Sequence, residues 1–156
     1  MIIFLDRTLA ELQRHAECEY PAECCGILAG RLEGGNKTVR NVYPVRNTAV
    51  ENNNVSFSID PLEIMRAERY TEQNSLEIVG FYHSHPDYGA VASDEDIQFM
   101  IPGYSYPIIS VRSGKAAEIR CYVKADNTAF CEELILRRDE NADNSLHRGN
   151  AAGICE

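Results

Sequence analysis

No apolar run in this chain of 156 residues approaches the roughly 18 residues needed to cross a bilayer. The opening stretch, MIIFLDRTLAELQRH, turns charged too soon to read as a secretory signal. The cytoplasm is therefore the expected compartment, with no membrane partner. Basic residues are also scarce, 15 Lys and Arg against 24 Asp and Glu, for a net charge of −9. That balance argues against nucleic acid, whose affinity comes largely from clustered Lys and Arg. Among the six cysteines there is no CxxC pair. Cys24 and Cys25 are adjacent and Cys155 stands in a polar stretch, so neither a zinc ribbon nor a redox motif is indicated, and reduced thiols are expected. Histidine is rare, with four in the chain. Two of them, His83 and His85, stand one residue apart at the end of an apolar run.

The chain reads as one mixed α/β domain without internal repeats. Met1 to Leu5 predicts a short strand, and Leu9, Leu12 and Ala16 predict a helix that stops before Tyr20-Pro21. CCGILAGRL predicts a buried strand turning at Gly34-Gly35 into a second strand, around Val39 to Val45, to make a hairpin. Arg46 to Asn54 has loop composition, and VSFSI alternates as a strand should. Asp60 is the expected cap of a helix opened by Pro61, with Leu62 and Met65 on one face. Leu76 to Tyr82 is the expected central strand, apolar from Ile78 to Phe81 as strands covered on both faces are. Ser93 starts a short helix, YPIISVRS and AEIRCYVK are further strands, and Phe130 to Arg137 predicts one more strand or a short helix. The expected domain is residues 1–138, with 139–156 a polar, weakly ordered tail.

Residues two apart on a strand project from one face, so His83 and His85 lie side by side, a geometry suited to two ligands of one metal. Asp87, Asp94, Glu95 and Asp96 are available as a third ligand, and Pro86 and Gly89 let the chain turn toward them. SDED before an apolar residue also reads as a capping box, in which Ser93 caps the helix and Asp96 reaches back. His15 on the first helix and His147 in the tail have no comparable neighbours.

The run His83-Ser84-His85-Pro86, followed after six residues by Ser93 and Asp96, resembles the JAMM (MPN-plus) metalloprotease signature H-x-H-P, six residues, S-x-x-D. Pro21-Ala22-Glu23-Cys24-Cys25-Gly26 resembles the setting of that family's upstream glutamate, with Glu23 at the matching position. The resemblance implies the single-domain MPN (JAMM) fold, a cytidine-deaminase-like mixed β-sheet flanked by helices. It implies one zinc ion held by His83, His85 and Asp96, with Glu23 as general base and Ser93 helping to hold the developing oxyanion. The implied partner is a small ubiquitin-like or sulfur-carrier protein, cut after its glycine-rich C-terminus, because the chain has little room for the insertions with which larger members grip ubiquitin. The alternatives are an inert scaffold domain of the same fold, although no motif residue is missing, and a nucleobase deaminase, whose H-x-E and P-C-x-x-C elements are absent.

Overall fold

The structure is a computed structural model that describes residues 1–49, 56–125 and 129–140. The expected tail beyond Glu140, with His147 and Cys155, lies outside the described residues, as does the whole of the Asn-rich stretch 50–55. Strand β1 (Ile2–Leu5) is buried along its whole length and runs straight into helix α1 (Asp6–Glu19). No side chain caps that helix at Leu5, but the Thr8 hydroxyl donates to the Leu5 carbonyl at 2.9 Å. Leu12 and Ala16, four apart, are fully buried, as the spacing predicts.

The hairpin follows as strands β2 (Cys25–Glu33) and β3 (Asn36–Val45), antiparallel, with Gly34 and Gly35 at φ +58° and +79° in the turn. Helix α2 (Pro61–Gln73) starts on the Asp60 carboxylate, which accepts from Leu62 N at 2.9 Å. Leu62 and Met65 do share a face, but it is exposed, and Ala67 and Thr71 carry the packing. Strand β4 (Glu77–Pro86) runs on through both histidines and is followed by helix α3 (Asp94–Phe99) and strands β5 (Ser105–Arg112) and β6 (Lys115–Lys124).

With β7 (Phe130–Glu133) and β8 (Ile135–Arg138), all strands join one sheet in the order β7-β6-β5-β4-β2-β3-β1-β8, with β4 near its middle. β2 shows how both faces are covered. Leu28 packs with Leu12 and Ala16 of α1, while Ile27, pointing the other way, packs with Ala67 of α2. His83 and His85 open on the α2 side, where Cys25 and Phe81 also pack. No helix among the described residues is long and apolar enough to cross a membrane.

Two expectations are corrected. Ser56–Ile59 of VSFSI forms no strand. Its backbone is held by the Asn47 side chain, which donates to the Ser56 carbonyl at 3.0 Å and accepts from Ser58 N at 3.1 Å, so the segment lies over the sheet without joining it. Phe130 to Arg137 is two strands, β7 (Phe130–Glu133) and β8 (Ile135–Arg138), broken at Leu134. β7 pairs with β6 at one edge of the sheet and β8 with β1 at the other. The sheet must therefore curl until its edges meet. A buried polar bridge crosses the inside of that curl, where Lys37 of β3 donates to Ser105 Oγ of β5 at 2.8 Å and lies 3.7 Å from Glu133 of β7.

Strands β4 and β5 approach closely at Gly80, where an added Cβ would stand 2.2 Å from the Ser105 carbonyl oxygen. Backbone on both sides leaves little room to yield, so Gly80→Ala is expected to cost roughly 3 kcal/mol, the upper end for overpacking. Urea denaturation checks this, and a cost below about 1 kcal/mol would mean that β5 moves aside.

Candidate metal centre and catalytic cavity

The β2–β4 register sets Cys25 opposite His83, which brings the segment before β2 to the histidine pair. Ser84, between the histidines, completes the link. Its N–H donates to the Cys24 carbonyl at 3.0 Å and its Oγ accepts from Cys24 N at 2.9 Å. Glu23 is thereby placed beside residues 60 positions further along the chain, and it is only 5% exposed.

His83 and His85 project together as alternation requires, with their Nε2 atoms 3.0 Å apart. Asp96 meets both, its Oδ1 3.0 Å from His83 and its Oδ2 3.5 Å from His85. Of the four acidic residues available, Asp96 converges with the histidines, whereas Asp87 turns to Tyr20 and to the backbone N–H of Ser113. The capping box of the SDED stretch forms while the Asp96 carboxylate still reaches the histidines. Ser93 caps α3, accepting from Asp96 N at 3.1 Å, and Asp96 Oδ2 accepts from Ser93 N and from Ser93 Oγ, each at 2.7 Å. The capping box thus turns the carboxylate toward the histidines.

The donor set fits a metal ion. One ligand atom from each of His83, His85 and Asp96 lies within 4.8 Å of the others. A tetrahedral ion with bonds of about 2.0–2.1 Å wants its ligand atoms roughly 3.4 Å apart, close to the three separations above. His85 Nδ1 lies 3.0 Å from the Gly89 carbonyl, which can only accept, so Nδ1 carries a proton and Nε2 is the nitrogen available to a metal. Lone pairs and a carboxylate facing one point need a shared proton or a cation between them.

The electrostatics agree. Burial pushes His83 below the usual imidazole range, against the pull of Asp96, so its ring is neutral and able to ligate. Burial opposes ionisation of Asp96 too, but hydrogen bonds from His83 and His85 win and hold it well below the carboxylate range. Burial likewise disfavours the charged form of His85, yet hydrogen bonds to Asp96 and Gly89 leave it raised overall. Glu23 is different. Burial, with Asp96 and Glu95 adding to it and His85 opposing, pushes its carboxyl up from 4.5 to about 7. No hydrogen bond to that carboxylate is formed among the described residues.

That shift sets a stability prediction for the metal-free protein. Because the folded carboxyl holds its proton more tightly than the unfolded one, the contribution of Glu23 to stability is greatest below about pH 4.5 and is lost as pH rises through 7. The loss is on the order of 2–3 kcal/mol. Glu23→Gln removes it, so in chelator the variant should be more stable than wild type at pH 8, and the gap should close by pH 5. Denaturation curves of both proteins at the two pH values test this, and a gap independent of pH would contradict it.

Glu23, His85, Ser93 and Asp96 line one cavity of about 310 Å³, with Phe57 and Phe99 at its wall. Sequence reasoning did not find Phe57 or Asn47. Phe57 stacks on His83 with ring centroids 4.4 Å apart, and it sits in the stretch read as a strand. Asn47 Nδ2 donates to the Glu23 carbonyl at 3.1 Å and to Ser56, so one amide holds both walls of the cavity. Its only sequence signal was a loop-forming Asn. His15 does not reach the cluster; its Nδ1 lies 2.8 Å from the Tyr82 hydroxyl. The five described cysteines are free, and burial pushes Cys24 and Cys25 up to about 12, which makes them unreactive packing groups.

Residues 5–123 match the family of prokaryotic homologs of the JAB domain. The chain belongs to that family. It is 38% identical over 106 residues to the desampylase of Haloferax volcanii, covering 67% of this chain and 74% of that protein. It is 31% identical over 122 residues to the CysO-cysteine peptidase of Mycobacterium tuberculosis, covering 78% and 80%. A solution structure of a protein from Desulfitobacterium hafniense superposes with a TM-score of 0.78 at 32% identity, covering 90% of this chain and 94% of that one. This JAB-domain chain is accordingly a hydrolase of the JAMM type, on the mixed α/β fold that its signature implies.

Proposed function

We propose that the protein is a zinc-dependent peptidase or isopeptidase of the cytoplasm, its domain spanning residues 1–138. It hydrolyses the bond after the glycine-rich C-terminus of a small ubiquitin-like or sulfur-carrier protein. The observation that carries this reading is the convergence of His83, His85 and Asp96 beside a cavity that His85 and Asp96 share with Glu23, whose buried carboxylate has no hydrogen-bond partner among the described residues. The relatives named for desampylation and for CysO-cysteine cleavage favour conjugates of small carrier proteins as the substrate class.

His83, His85 and Asp96 are the ligands in this reading. Zinc held there supplies Lewis acidity, which polarises a carbonyl and acidifies a water. Glu23 accepts the proton of the attacking water and delivers it to the leaving nitrogen as the C–N bond breaks and the new C–O bond forms. Burial raises this carboxyl in the metal-free protein, and a cation at the ligand cluster would draw it back toward the ionised form that accepts a proton. Ser93 has one hydroxyl proton, which lies on Asp96 Oδ2. To hold the oxyanion it must turn that proton into the cavity, leaving the Ser93 N–H on Asp96.

The test compares zinc-loaded protein on a carrier protein conjugated through its C-terminal glycine with folded ubiquitin dimers. Cleavage of the first and little of the second is expected, because no large docking arms surround the cavity among the described residues. Rapid cleavage of ubiquitin dimers alone would overturn the substrate assignment. No hydrolysis of either would return the scaffold reading.

A further inference from the structure

Glu23 stands between two cavities of opposite character. The one with the metal-ligand cluster continues past Phe57 and Phe99 into an apolar groove walled by Ile59, Ile64, Phe81 and Ile101. Behind Glu23 lies a second recess of about 430 Å³, lined by His15, Glu19, Pro44, Arg46 and Asn47 together with Glu23 itself. Arg46 is exposed and makes no ion pair or hydrogen bond among the described residues. Asn47, next in sequence, is anchored by both ends of its amide, to the Glu23 and Ser56 carbonyls and to the N–H groups of Ala49 and Ser58. The base of the arginine is therefore held at a defined place beside Glu23.

We infer that this recess is the leaving-group subsite and that Arg46 recognises a carboxylate there. The leaving group it fits is a single amino acid or short C-terminal peptide with a free carboxylate, in preference to the lysine side chain of a folded protein. The inference rests on the proposed function, since it divides the substrate at Glu23. The apolar groove suits the carrier tail, and the half that leaves as an amine then faces the polar recess. A released amino acid carries an ammonium and a carboxylate, which match Glu19 and Glu23 on one side and Arg46 on the other. A guanidinium fork pairs with a carboxylate through two parallel hydrogen bonds. A lysine stem would instead lay four methylenes against Glu19 and Arg46, desolvating charged groups without giving them partners.

Three synthetic peptides with one carrier tail test this: one ending Gly-Gly-Ala as the free acid, one as its amide, and one with Gly-Gly joined to the Nε of lysine. With zinc-loaded wild type, kcat/KM for the free acid should exceed that for the amide roughly 10- to 100-fold, the range for a hydrogen bond to a charged group. It should exceed that for the lysine conjugate as well. The acid-to-amide ratio should fall to near one in Arg46→Ala and stay intermediate in Arg46→Lys. A wild-type ratio near one, a ratio that survives Arg46→Ala, or a lysine conjugate cleaved fastest would overturn the subsite and leave the proposed function standing. Failure of the wild type to cleave any of the three would overturn both.

Discussion

Glu23→Gln is expected to slow single-turnover cleavage by about 10²- to 10⁴-fold, the usual worth of a positioned proton acceptor, while leaving metal content unchanged. The amide keeps the size of the side chain but has no basic oxygen. The surroundings tolerate it, because no described group hydrogen-bonds to the carboxylate that would be lost. Glu23 is also absent from the three-residue ligand cluster, so metal should be retained. The measurement pairs metal analysis with single-turnover rates on one substrate. Undiminished cleavage removes Glu23 from the chemistry, whereas metal lost along with activity makes it a ligand.

His83→Ala and Asp96→Ala should abolish turnover and lower metal occupancy from about one ion per chain. The fall in affinity should exceed the 10- to 100-fold that follows loss of a ligand's supporting partner, because a direct donor is gone. The two changes should differ in stability. His83 is 2% exposed and stacked on Phe57, so truncation opens a cavity and costs roughly 2–4 kcal/mol even without metal. Asp96 sits at the start of α3, and its loss removes half of a capping box, worth about 1 kcal/mol. Metal analysis by mass spectrometry and denaturation in chelator separate the two effects. Full occupancy in either variant would strike that residue from the ligand set. Zinc restoring activity to chelated wild type, but not to either variant, is the companion result.

Much of this was legible in order along the chain. Period-two alternation placed the histidines on one face of a central strand, and the spacing of Ser93 and Asp96 put a carboxylate at the N-terminus of the next helix. Both depend on neighbours a few residues apart, where backbone geometry leaves few choices. Leu12 and Ala16 were legible for the same reason. The strand expected at VSFSI failed because alternation records only that a segment is half-buried, and Asn47 supplied the hydrogen bonds that a ladder would have made. Phe57 is half-buried and stacks on an imidazole instead of a sheet neighbour. The final segment split because a curled sheet offers two edges to consecutive residues, and those edges are formed by strands far away in the chain, β6 and β1. Glu23 lay between these cases. The family signature singled it out, but as a bare residue it read as a surface carboxylate at a turn. Only the β2–β4 pairing, locked by Ser84 onto Cys24, carried it to the wall of a cavity, 5% exposed, where burial raises its carboxyl to about 7. The sequence by itself determined which donors exist and how each element presents them. Tertiary structure decided which donors meet and how strongly each holds a proton, because both depend on burial and on partners far away in the chain.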